Sequence, residues 1–160
     1  AEQEAVLGNR HPGTLVTRNN LAAAYREAGD LDRAVTLYEA TLAEQEAVLG
    51  NRHPGTLVTR NNLAAAYREA GDLDHAITLH EATLAQHELV LGATHPNTLT
   101  SRNNLAAAYL AHGDPGRAAI LLEHSLQDAE RILGKSHLLT TATREALYTA
   151  NHSNRLPGDE

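Results

Sequence analysis

The sequence predicts an all-α solenoid, a stack of antiparallel helix hairpins, and three observations carry that prediction. Thr17–Asp32 recurs without a substitution at Thr59–Asp74, a period of 42 residues, and again in degenerate form from Ser101 to Asp114. A fixed period of this size marks a stacked-repeat architecture. Within each period two stretches with apolar residues three and four apart alternate with two turns, the spacing of amphipathic helices. The chain also has no Phe, Trp, Met or Cys in 160 residues, so Leu, Ala, Val and Tyr must build a thin core distributed along the stack.

The first helix of a repeat opens at His11-Pro12-Gly13-Thr14. Proline suits the first helical position, where its missing N–H costs nothing. This helix carries Leu15, Leu21, Ala22, Tyr25 and Ala28 on one broad face. Gly29 supplies a left-handed cap, and Asp30 offers a side-chain oxygen to the start of the second helix. The second helix carries Leu31, Ala34, Val35, Tyr38, Leu42, Gln45 and Leu49, and Gly50 ends it. Short loops between long helices make antiparallel neighbours. Residues 1–8 match Ala43–Gly50, the end of a repeat, so we expect a half-helix there and a chain that continues a longer array. Hairpins are expected at 12–49, 54–91 and 96–133 and a terminal helix at 138–150, all in one repeat array, with a frayed tail at 151–160.

Composition excludes several functions. A net charge of −7 argues against nucleic acid, which needs a basic stripe on the protein. No apolar run approaches the ~18 residues of a membrane span. Without cysteine there is no disulfide framework and no thiolate chemistry, which fits a cytoplasmic location. Almost all positive charge is Arg, with Lys135 the only Lys, a hint of a GC-rich bacterial genome.

Arg18, Leu21-Ala22, Tyr25, Ala34 and Tyr38, with Arg60, Leu63-Ala64, Tyr67, Ala76 and His80 and then Arg102, Leu105-Ala106, Tyr109, Ala118 and Leu122, resemble the tetratricopeptide repeat. In that pattern Arg stands where Trp is usual and Glu46 where Pro closes the repeat, and the period exceeds the usual ~34 residues. The Leu-Gly-x-x-His-Pro-x-Thr loop and the Asn-Asn-Leu-Ala run are similar to the longer repeats of kinesin light chains and of bacterial regulatory arrays. The resemblance implies a right-handed superhelix and a non-catalytic scaffold that binds a peptide or protein segment in a concave groove lined by the first helices.

Carried onto this sequence, the groove positions are Val16, Asn19, Asn20, Ala23, Arg26 and Glu27 and their copies. The expected peptide-binding residues are Asn19, Asn20, Asn61, Asn62, Asn103, Asn104, Arg26 and Arg68. An amide both donates and accepts, so it can grip a peptide backbone whatever its side chains. The same amides could instead brace neighbouring helices, and both roles stay open. Chaperone-binding relatives clamp a C-terminal carboxylate with Lys and Arg one turn from such an Asn; here those positions are Val16, Val58 and Thr100.

His11, His53, His95 and His137 recur once per repeat, too far apart for one zinc site, and read as loop braces or caps. His80 and His87 are seven residues apart, not the i, i+4 pair of a metalloprotease helix. No phosphate loop or catalytic triad stands out from the repeat, so no cofactor, metal or catalytic residue is expected. The alternative to a peptide-binding scaffold is a spacer or self-assembling array, with weak head-to-tail association between chain ends.

Overall fold

The computed structural model describes residues 11–153, and the half-helix expected at 1–8 lies outside them. Among the described residues there are seven helices and no strand: α1 (Pro12–Glu27), α2 (Leu31–Val48), α3 (Pro54–Glu69), α4 (Leu73–Leu91), α5 (Pro96–Ala111), α6 (Pro115–Leu133) and α7 (Leu138–Ser153). They make an all-α solenoid of antiparallel hairpins. The chain divides into two compact units, Ala1–Leu79 and His80–Glu160, and the division falls within α4.

Each first helix starts the same way. A histidine in extended backbone occupies the N-cap, proline follows, and the imidazole Nδ1 accepts the N–H two residues on. The distances are 3.1 Å for His11 to Gly13, 3.1 Å for His53 to Gly55, 3.1 Å for His95 to Asn97 and 3.2 Å for His137 to Leu139. These rings satisfy donors that a helix start leaves orphaned. At the other end, the Asp30 N–H bonds the Tyr25 carbonyl at 2.9 Å and the Gly29 N–H bonds that of Arg26 at 3.0 Å. Those two bonds close a Schellman turn, which needs the positive φ of 80° that Gly29 adopts. Asp30 then accepts the Arg33 N–H at 3.3 Å, and Asp114 that of Arg117 at 3.0 Å.

In the first unit α1 packs on α2 and α2 on α3. Ala22 from α1, Ala34, Tyr38 and Leu42 from α2, and Leu63 and Ala66 from α3 form its buried cluster. In the second unit α5 packs on α6 and α6 on α7. The small Ala22, Ala64 and Ala106, all fully buried, let paired helices approach closely.

The terminal helix is longer than the sequence suggests. Asn151, His152 and Ser153, assigned to the frayed tail, continue α7. The Tyr148 and His152 rings stack with centroids 3.8 Å apart, and the Ser153 hydroxyl donates to the Thr149 carbonyl at 2.9 Å. Contacts one turn apart extend a helix by this much.

Candidate interaction surface

The two asparagines of each Asn-Asn pair do different work. Asn19 turns toward the next first helix, where its Oδ1 accepts from the Thr59 hydroxyl at 2.9 Å. Asn103 donates through Nδ2 to the Thr143 hydroxyl at 2.7 Å and accepts from Ser125 at 3.3 Å. These are braces between helices. One position on, a helix has turned by roughly 100°, and Asn20 and Asn62 make no hydrogen bond among the described residues. Asn20 is exposed and Asn62 half-buried, beside the exposed Val16 and Val58 and the half-buried Ala23 and Ala65. Asn61 and Asn104 are half-buried and engaged with partners.

Arg26 pairs loosely with Glu69, Nε to Oε2 at 3.7 Å. The same step of 43 residues from Arg68 reaches Ala111, and Arg68 makes no ion pair among the described residues. The first unit thus presents free amides and a cation on a surface otherwise made of small and aliphatic side chains.

A second set of polar contacts holds the stack, and its members were not singled out from the sequence. Arg102 reaches Asp128, 26 residues ahead on α6, at 3.0 Å, and Glu88, 14 residues back on α4, also at 3.0 Å. Arg18 makes the forward contact to Glu44 at 3.0 Å. Arg60 and Arg144 make the backward one, to Glu46 at 2.5 Å and Glu130 at 2.7 Å. The Arg in the Trp position and the Glu in the Pro position are therefore partners. The signal in the sequence was opposite charge recurring at fixed spacings of 14 and 26.

The repeat tyrosines lean on carboxylates in the same way. The Tyr67 hydroxyl donates to Glu39, and the Tyr109 hydroxyl to Glu81 at 2.7 Å. Burial, with the Glu39 carboxylate beside it, pushes the Tyr67 phenol up to about 12. Tyr109 is raised for the same two reasons, and Tyr38 by burial. His87, whose Nδ1 lies 2.7 Å from the Ser101 hydroxyl, is held below the usual imidazole range by burial and by His95. No cluster of three or more His, Cys, Asp or Glu suited to a metal occurs among the described residues. In the second unit an apolar hollow of about 220 Å³ lies between Leu105 and Tyr109 of α5 and Ile120 and Leu121 of α6.

The tetratricopeptide repeat family matches residues 2–43, 14–86 and 61–131. The chain is similar to the nearly identical TPR-like repeats of a protein from Podosopora anserina described as a kinesin light chain. One crystal structure of it superposes with a TM-score of 0.85 at 33% identity, over 95% of this chain and 72% of that one. A variant of the same protein gives a TM-score of 0.87 with the same identity and coverage. BtubC (BKLC) from P. vanneervenii shares the fold, with a TM-score of 0.79 at 20% identity, over 88% of this chain and 56% of that one. No curated protein matches the sequence. With the family pattern matched along most of the chain, and the helices paired and capped as that pattern requires, the protein belongs to the tetratricopeptide repeat family.

Proposed function

We propose that the protein is a non-catalytic scaffold that binds an extended peptide or protein segment on the surface of its first helices, in the cytoplasm. The family is one of protein-interaction modules, which supports the general reading. The observation that carries the particular one is the division of labour within Asn19-Asn20 and its copy. Asn19 is consumed by Thr59, while Asn20 and Asn62 keep their donors and acceptors on a small-residue surface. Such amides can pair with both edges of a peptide unit without reading its side chain. Arg68 adds a preference for an acidic group nearby. The net charge of −7 disfavours nucleic acid, and no described helix is long and apolar enough to cross a membrane.

The test is selection of binders from a random-peptide display library on the native chain, followed by titration against Asn20→Ala/Asn62→Ala. Two lost hydrogen bonds at about 1 kcal/mol each should weaken the selected peptides about thirtyfold. Unchanged affinity in that variant, together with loss on substituting the exposed Thr36 of α2, would place the site elsewhere. Self-association is the competing reading. It is favoured by Leu21, exposed on α1 where its counterparts Leu63 and Leu105 are buried. That reading requires a mating face on α7.

A further inference from the structure

Each first helix has two working faces, and they separate cleanly by residue. One face receives the preceding hairpin. In α5 it consists of Ser101, Arg102, Leu105 and Ala108, all buried. The other face receives the second helix of its own hairpin and the first helix of the next. In α5 it consists of Leu99 and Ala106, both fully buried, and Asn103 with its bonds to Ser125 and Thr143.

Helix α7 keeps the first face and has lost the second. Thr143 and Ala150 are buried, Leu147 is half-buried, and Arg144 holds Glu130. On the other side every key residue has changed. Thr141 stands where Leu15, Leu57 and Leu99 are buried, Glu145 where Asn19, Asn61 and Asn103 stand, and Tyr148 where Ala22, Ala64 and Ala106 are fully buried. Tyr148 is 65% exposed.

Each change opposes a regular second helix. Leu to Thr removes apolar area from the seam. Asn103 donates to one neighbour and accepts from another, whereas an ionised carboxylate at 145 only accepts. An alanine slot lets helix axes come within about 8 Å, and a tyrosine there holds them apart. The stack of Tyr148 on His152 lays the ring along α7, and Glu145, Thr149 and His152 give the outer side a polar character. Repeat arrays need such a polar outer face where stacking stops.

We infer that α7 is a terminating helix: its inner face docks on the preceding hairpin, and its outer face is built to refuse the second helix of a further one. The head-to-tail association expected from the sequence therefore has no seat on α7.

The experiment replaces residues 154–160 with the turn and second helix of the first repeat, residues 29–50, on three backgrounds. These are native α7, Tyr148→Ala, and Thr141→Leu/Glu145→Asn/Tyr148→Ala. Amide exchange of the added helix is then read residue by residue. On native α7 it should exchange like an unattached peptide, and on the triple variant it should be slowed at least tenfold. Tyr148→Ala changes one exposed side chain, leaves folding intact, and should fall between the two. Equal protection on native α7 and the triple variant would overturn the inference. So would an added helix left unprotected on the triple variant, because these three residues would then not be what excludes it.

Discussion

Arg102 is the most demanding single position in the second unit. Its side chain is only 10% exposed and its two terminal nitrogens each hold a carboxylate at 3.0 Å, Asp128 at 26% exposure and Glu88 at 43%. A charge-assisted hydrogen bond contributes ~1.5–3 kcal/mol where water is excluded. In Arg102→Ala both carboxylates can regain water, which argues for the low end of that range for each, or about 3 kcal/mol in total. Arg102→Lys should recover less than half of the loss, since a compact ammonium cannot serve two acceptors on opposite sides as the planar fork does. Urea denaturation followed by circular dichroism, with amide exchange across residues 80–153 to locate the loss, measures both variants. A cost below about 1 kcal/mol for Arg102→Ala would refute the idea that the clasp joins the hairpins. So would a lysine variant as stable as the parent.

Gly71→Val forces a β-branched residue to a φ of 85°, and although space around it is open the conformation itself should cost about 1–2 kcal/mol, visible as a lower thermal midpoint. Tyr67 should be the late-titrating phenol in an ultraviolet pH titration, at about 12, and Glu39→Gln should bring it down. Because the folded value lies above the unfolded one of about 10, the stability Tyr67 contributes is complete below pH ~10 and is lost as pH rises through ~12. Loss of stability confined to the acid side would contradict that sign.

The helices were legible because their punctuation is local. Pro12, Pro54 and Pro96 open first helices, and Gly29, Gly71 and Gly113 take the positive φ their turns require. The end of α7 was misjudged because the stack of Tyr148 and His152 is a side-chain contact that periodicity does not register. The surface was legible only to the level of the helix that carries it. Asn19 and Asn20 are the same residue type in the same run, and one turns to Thr59 while the other stays on the surface through helical rotation alone. The arginine clasp went unread because each partner sits on another helix, so Arg18 and Glu46 looked like separate departures from a pattern. Their complementarity exists only between hairpins.

The clasp also bears on how such a chain can change length. A guanidinium in one hairpin relies on an acid 14 residues behind it and another 26 ahead, and those two distances sum to 40, two short of the 42-residue period. Removing or duplicating any 42-residue window therefore returns an arginine to a carboxylate at every junction, wherever the cut falls. An insertion of any other size strands one buried cation. The array can grow or shrink in whole steps and at no intermediate length, so the breakpoints of a viable rearrangement are set by phase rather than by the position of loops.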